Sequence, residues 1–303
     1  MRLVQNQPFA GLEEFVTENA PLARFTWYRI GGPARYLVRP RSVEELQEAS
    51  RRCVESNIPI YVLGLGANLL IDDAGVDGAV FRFDAPLWQE VSVEGTRVRV
   101  GAGMDMQKLL VRTAREGLAG IESLAGIPGT IGGGIRMNCG GKFGDLGSFV
   151  QTVTVMDSHG QVFQRLKEDL VFGYRKSNVV APFILDATLE LDQDNPDDIA
   201  TRMKEIWMYK RNTQPLNTKN CGCIFKNPPG QSAGALIDLA GLKGLQVGGA
   251  QVSEKHANFI VAHPGTTSGD IHKLIGIIRE RVAEKHQIDL ESEVRVWPLA
   301  KPE

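Results

Sequence analysis

Apolar residues recur along this chain with two periods, and the change of period divides it. Val43, Leu46, Cys53 and Val54 follow helical spacing behind Ser42, which forms a capping box with Glu45. The apolar run 58–63 predicts a short strand that ends on Gly64-Leu65-Gly66. From Glu90 the pattern becomes alternation. Val91 and Val93 answer Val98 and Val100 across Glu94-Gly95, which predicts a hairpin. A helix is expected over 105–116, stopped by Gly117, and a second hairpin over 150–166, turning through Ser158-His159-Gly160. A further strand spans 183–191. The middle of the chain therefore reads as sheet with one long helix, not as a repeating βαβ series.

The last third reads as a separate unit. Asn195-Pro196 is a cap followed by proline at the first helical position, and the helix it starts runs past Trp207 to a hinge at Thr213-Gln214-Pro215. Ile271, Leu274, Ile275, Ile278 and Val282 mark an amphipathic helix whose register leaves Lys273, Arg279, Glu280 and Glu284 for water. Boundaries near Pro86 and Thr213 divide the chain into 1–85, 86–212 and 213–303. There is no internal repeat.

Composition narrows the function. A net charge of −2, from 34 basic and 36 acidic side chains, gives no electrostatic reason to expect a nucleic-acid partner. No apolar run approaches the roughly 18 residues of a membrane span, and the polar stretch 1–15 with Glu13 and Glu14 is unlike a secretory signal. Four cysteines do not make a disulfide scaffold, so a cytoplasmic protein with reduced thiols is expected. Glycine is the exception, with 33 of 303 residues against a usual share of roughly 7%.

The glycines cluster. Gly64-Leu65-Gly66-Ala67-Asn68 follows a strand but lacks the third glycine of a dinucleotide fingerprint, so it is either an ordinary tight turn or an amide cradle for a pyrophosphate. Gly126-Ile127-Pro128-Gly129-Thr130-Ile131-Gly132-Gly133-Gly134 reads as a fixed bend rich in exposed amide donors, suited to a flat ring or a phosphate chain. Two such turns hint at a long ligand with two phosphates. Arg29-Ile30-Gly31-Gly32-Pro33-Ala34 is better read as a structural turn. Cys221-Gly222-Cys223 lacks the further ligands of a closed zinc site, so no metal is expected there; a single positioned thiol or a buried apolar cysteine fits better. Lys226-Asn227 could hold a phosphate and an amide-bearing ligand or form a surface turn. The charged segments 174–177 and 291–295 would by themselves be solvated faces.

In this order, the segments 26–34, 63–70, 120–138, 174–177, 222–228, 256–261 and 290–295 together resemble the UDP-N-acetylenolpyruvoylglucosamine reductase family, over about 25–295. The resemblance implies an α+β fold: a vanillyl-alcohol-oxidase (PCMH-type) FAD-binding domain of two α+β subdomains, about 29–193, then a C-terminal α+β substrate-binding domain. It implies noncovalent FAD on Gly64, Gly66, Ala67 and Asn68 and on Gly126, Ile127, Pro128, Gly129, Thr130, Gly132 and Gly133. No histidine lies in these turns to attach the flavin. The compact Tyr174-Arg175 segment looks like the family's second type, which lacks an extra substrate loop.

By the same resemblance, NADPH reduces FAD, and an enolpyruvyl ether of a UDP-sugar is then reduced to UDP-N-acetylmuramate for peptidoglycan. Arg175 and Glu293 would stabilise the charge that builds on the substrate carboxylate side, and Cys223 would protonate the carbon bearing it. Many members have serine there; a thiol, with an ordinary pKa of about 8.5, is also a competent donor. Substrate contacts fall to Tyr174, Lys226, Asn227 and Arg295 in a monomer. Further departures are Gly134 where alanine is usual and Ala262 where asparagine is expected. The competing readings are a related FAD oxidoreductase on the same fold and a flavoprotein that binds the sugar nucleotide without turnover.

Overall fold

Ser42 Oγ accepts the Glu45 amide at 3.2 Å and starts helix α1 (Val43–Glu55). The expected box is only half made. Glu45 turns its carboxylate to the Arg41 amide at 2.7 Å and to the Arg41 guanidinium, because a charge-assisted bond outweighs a neutral one. The computed structural model describes residues 8–298, so the reading of the N-terminal stretch as polar and unlike a signal lies partly outside the described residues.

Two units share the chain discontinuously. The first comprises the chain up to Ala20, Ala34–Gly64 and Asp77–Met203; the second comprises Pro21–Pro33, Leu65–Val76 and the chain from Lys204. The short segments 21–33 and 65–76 thus belong with the C-terminal part.

In the first unit, a four-stranded sheet runs in the order Val16–Pro21, Pro33–Val38, Val76–Phe81, Ile60–Val62, and the last pair is parallel. Helix α1 contributes Leu46, Ala49, Ser50 and Cys53 to the buried interior. A second sheet is antiparallel throughout, in the order Val162–Leu166, Val150–Met156, Phe183–Glu190, Arg97–Gly101, Val91–Glu94. Both predicted hairpins lie here. Phe81 from the first sheet meets Phe183 from the second edge-on, with ring centroids 5.0 Å apart. Helix α2 (Met106–Arg115), capped by Asp105, buries Met106, Leu109, Leu110, Thr113 and Ala114.

The glycine run 126–134 is not all bend. Its second half forms α3 (Ile131–Met137), capped by Thr130 Oγ1, which accepts the Gly133 amide at 3.3 Å. Three successive glycines lower helix propensity by about 1 kcal/mol each, so packing must compensate. A Cβ on Gly132 would sit 3.0 Å from the Ala102 Cβ, and one on Gly134 would sit 2.9 Å from the Met106 Cε and 3.0 Å from the Cys139 Sγ. The large Met106 and Cys139 side chains occupy the space that an alanine at 134 would need.

Helix α4 (Pro196–Thr213) begins with Asn195 Oδ1 accepting the Asp197 amide at 2.8 Å. In the second unit, strands Gln246–Val247, Ala250–Val252 and Ile260–Ala262 form an antiparallel sheet, and α5 (Ala233–Leu239) and α6 (Ser268–His286) share its core. Helix α6 buries Ile271, Leu274, Ile278 and Val282, as its stripe predicts. Arg295–Trp297 pairs in parallel with Leu69–Ile71. Gly31 and Gly32 are structural, as expected: a Cβ on Gly32 would meet the Asp73 carbonyl at 2.3 Å.

Candidate active site

In the first unit, the turn at Gly64 and the bend at 126–130 lie against each other. A Cβ on Gly64 would fall 2.6 Å from Thr130 Oγ1, so only glycine permits this approach. The bend is held from α2: Gln107 Oε1 accepts the Gly126 amide at 2.9 Å, and its Nε2 donates to the Ile127 carbonyl at 2.7 Å. The expectation of many exposed amides in this run needs correction. Ile127, Ile131, Gly132 and Gly134 donate to Leu124, Met104, Ala102 and Thr130 carbonyls, because the bend is stitched to its neighbours by main-chain bonds. Among the described residues, the amides of Gly129 and Thr130 have no acceptor. Nothing lies within 4 Å of a Cβ built on Gly129.

The other turn keeps more of its donors. Among the described residues, the amides of Gly64, Leu65, Gly66, Ala67 and Asn68 have no acceptor. Five successive N–H groups without partners form a cradle suited to anionic oxygens. Gly66, at φ 63°, is required for a second reason: a Cβ there would meet the Phe25 carbonyl at 2.3 Å. The residues present therefore fit the diphosphate of a dinucleotide.

Tyr174 and Arg175 form the two-residue loop of the hairpin Phe172–Gly173/Lys176–Ser177, in the first unit. Arg175 adopts φ 53°, a left-handed conformation that costs a non-glycine residue roughly 1–2 kcal/mol. Its guanidinium lies 5.2 Å from the Tyr174 ring centroid. The hairpin is tied to the C-terminal end of α3. Asn138 Nδ2 donates to the Gly173 carbonyl at 3.1 Å, Asn138 Oδ1 accepts the Gly147 amide at 2.8 Å, and Ser177 Oγ donates to the Arg136 carbonyl at 3.2 Å. A helix of two turns thus runs from the capped bend at Thr130 to the support of Arg175.

Cys223, Lys226, Asn227, Glu293 and Arg295 lie in the second unit with Asn68. Phe225 and Ser292 form an antiparallel bridge, Glu293 donates its amide to the Ile224 carbonyl at 2.7 Å, and Lys226 donates its amide to the Glu291 carbonyl at 2.9 Å. Asn68 Nδ2 donates to the Glu293 carbonyl at 3.2 Å, and the Arg295 amide donates to the Asn68 carbonyl at 3.2 Å. Lys226 pairs with the Glu291 carboxylate, and Asn227 Oδ1 accepts the Ala233 amide at 3.0 Å at the start of α5. Arg295 is exposed; Cys223 and Glu293 are half-buried.

Cys221 is buried against Tyr28. Burial pushes its thiol up to about 12, with Cys223 and Glu293 adding to the effect, so all three groups lie within electrostatic reach. Tyr28, also buried, is raised well above the ordinary phenol range by burial and then by Cys221, and its Oη donates to the Ile260 carbonyl at 3.3 Å. Among the described residues, no group of three or more His, Cys, Asp or Glu side chains could hold a metal ion.

The sequence reading missed the residues that hold these segments: Gln107, Asn138, Asn220 and Asn258. Asn220 Oδ1 accepts the Gly222 amide at 2.9 Å. The only signal was position, since Asn138 and Asn258 fall inside segments singled out for other reasons.

Comparison with known proteins agrees with this geometry. Residues 34–164 match an FAD binding domain and residues 214–297 match the C-terminal domain of UDP-N-acetylenolpyruvoylglucosamine reductase. The chain is 42% identical over 288 residues to the UDP-N-acetylenolpyruvoylglucosamine reductase of Moorella thermoacetica, covering 95% of each chain. It is 41% identical to that of Alkalilimnicola ehrlichii, covering 91% of this chain and 92% of that one. The crystal structure of the Thermus caldophilus enzyme superposes with a TM-score of 0.80 at 38% identity, over 93% of this chain and 98% of that one. No helix among the described residues is long and apolar enough to cross a membrane. The chain belongs to the UDP-N-acetylenolpyruvoylglucosamine reductase family, FAD-dependent oxidoreductases of peptidoglycan precursor synthesis.

Proposed function

We propose that the family's reaction, reduction of the enolpyruvyl ether of a UDP-sugar to UDP-N-acetylmuramate, runs here on Arg175, Cys223 and Glu293, with NADPH as electron source. Bound FAD supplies the two-electron carrier between nicotinamide and vinyl carbon. Its diphosphate is held by the amides of Gly64, Gly66, Ala67, Asn68, Gly129 and Thr130. Gly126, Ile127, Pro128, Gly132 and Gly133 shape the bend beside it.

Negative charge grows on the carboxylate side of the substrate during reduction. The Arg175 guanidinium offsets that charge, and Glu293 holds the carboxylate through a carboxyl proton, since a bare anion there would oppose it. The Cys223 thiol then delivers its proton to the carbon bearing the carboxylate. Tyr174, Lys226, Asn227 and Arg295 bind the sugar nucleotide. For Lys226 this requires exchange of its exposed partner Glu291 for a phosphate oxygen. Residues 1–85 and 86–212 serve FAD and 213–303 serve substrate. We further propose a cytoplasmic monomer.

The observation that supports the reading is the main-chain pairing of segment 224–226 with 291–293, in which the Glu293 amide donates to the Ile224 carbonyl beside Cys223 at 2.7 Å. Single-turnover kinetics test it. Cys223→Ser should retain substantial turnover. Cys223→Ala should still oxidise NADPH while losing substrate reduction by about 10²–10⁴-fold. Equal substrate reduction in the alanine variant would overturn the assignment.

A further inference from the structure

Asn258 lies in the loop that follows Val252 and is 2% exposed. It makes the bonds that a neighbouring strand would make. Its Oδ1 accepts the Phe225 amide at 2.9 Å and its Nδ2 donates to the Phe225 carbonyl at 2.8 Å. Its own carbonyl accepts the Ile224 amide at 2.9 Å. The edge of segment 223–227 opposite Glu291 and Glu293 is therefore completed by one amide side chain.

The loop is itself braced. Ser253 donates its amide to the Phe259 carbonyl at 2.9 Å, and Ser253 Oγ accepts the His256 amide at 3.3 Å. His256 Nδ1 accepts the Asn258 amide at 3.2 Å, which fixes the neutral tautomer with hydrogen on Nε2. Phe259 packs edge-on to this imidazole, and Gly234 of α5 lies under it: a Cβ there would be 3.0 Å from Cε1. Burial, with Lys243 as a smaller contributor, holds His256 below its usual range, so it remains an acceptor into mild acid.

We infer that Asn258 is a positioning residue for the proton-donating step: by pairing with both polar groups of Phe225 it fixes the backbone on which Cys223 and Lys226 are presented. The inference rests on the assignment of Cys223 as donor. A displacement of the order of 1 Å in such a support costs about 10²-fold in rate while leaving remote steps intact.

The test uses the FAD-loaded full chain and measures two half-reactions separately: flavin reduction by NADPH, then flavin reoxidation by the enolpyruvyl UDP-sugar under anaerobic conditions. Asn258→Ala should leave the first within about twofold and slow the second by about 10²-fold. Asn258→Asp supplies the sharper readout. Ionised, its carboxylate is repelled by the Phe225 carbonyl; protonated, it donates to that carbonyl as the amide does. Its reoxidation rate should therefore recover as pH falls into mild acid, relative to wild type. A merely structural role predicts that flavin reduction by NADPH is impaired and recovers in parallel, whereas a positioning role confines the recovery to reoxidation.

Unchanged reoxidation in Asn258→Ala would overturn the inference, as would an Asn258→Asp profile parallel to wild type. If Asn258→Ala does not retain flavin, the Asn258→Asp profile decides alone. Cys223→Ala in the same assay separates the two claims. Wild-type reoxidation in that variant defeats the donor assignment, whereas its loss alongside unaffected Asn258 variants defeats only the positioning role.

Discussion

The Glu293 amide donates to the Ile224 carbonyl at 2.7 Å, so the carboxylate and thiol segments of the second unit are joined through main chain. Glu293 is thus placed by its backbone, and the Asn68 side chain secures its carbonyl at 3.2 Å. Replacing the carboxylate should leave the segment in place.

Glu293→Ala is accordingly expected to leave the chain folded and able to load FAD. It should lower substrate reduction by about 10²–10³-fold, as removal of a charge-stabilising donor does. Glu293→Gln keeps a donor and should fall between wild type and alanine. Thermal unfolding together with anaerobic reoxidation rates checks both parts; a large loss of stability with unchanged chemistry would reassign Glu293 to the scaffold.

Gly64→Ala places a methyl 2.6 Å from Thr130 Oγ1 and should reduce FAD occupancy of the purified protein. Thr130→Ala removes that oxygen and the α3 cap, at a cost of about 1 kcal/mol. Because the two side chains meet, their effects should not add, and the double variant should hold more FAD than Gly64→Ala alone. Flavin content per chain is the measurement. Strict additivity would mean the two turns do not touch.

Arg175→Gly should be neutral or more stable by about 1 kcal/mol, since glycine accepts φ 53° without the left-handed penalty. The same change should impair substrate reduction. A rise in melting temperature with a loss of activity would mark Arg175 as strained for function. A fall in both would show that its side chain supports the hairpin.

Alkaline pH tests the buried thiols. Burial raises Cys53 and Cys221 above the ordinary thiol range, to about 12. The protonated thiol is favoured by folding, so this stabilisation is complete below pH 9 and is lost as pH rises toward 12. Stability should fall over that window, and less steeply in Cys221→Ala. At mildly alkaline pH an alkylating agent should modify Cys223 ahead of Cys53 and Cys221, checked by mass spectrometry of the digested protein.

The pattern of apolar residues located α1, α6 and the hairpin Val91–Glu94/Arg97–Gly101. The Asn195-Pro196 cap located α4, the stop at Gly117 located α2, and the turn Ser158-His159-Gly160 located the second hairpin, whose strand Val162–Leu166 is largely exposed. The pattern could not locate α3, whose three glycines oppose a helix locally and are accepted because Ala102, Met106 and Cys139 pack against them. Nor could it pair Leu69–Ile71 with Arg295–Trp297, a contact made across more than two hundred residues. The glycine turns were legible as turns. Which amides remain unpaired was not, since that depends on carbonyls from Met104 and Ala102. Asn138 and Asn258 carry no pattern of their own for the same reason, since each completes backbone hydrogen bonds of a distant segment, whereas the Asn220 side chain bonds only within residues 215–222.

The central claim is a flavin that passes electrons from NADPH to the enolpyruvyl sugar nucleotide on this chain. An anaerobic visible spectrum of the FAD-loaded protein, recorded before NADPH, after NADPH and after the sugar nucleotide, tests it most directly. The account predicts a flavin band that bleaches with NADPH and returns with the sugar nucleotide. A band that bleaches and recovers only when oxygen is admitted would contradict it.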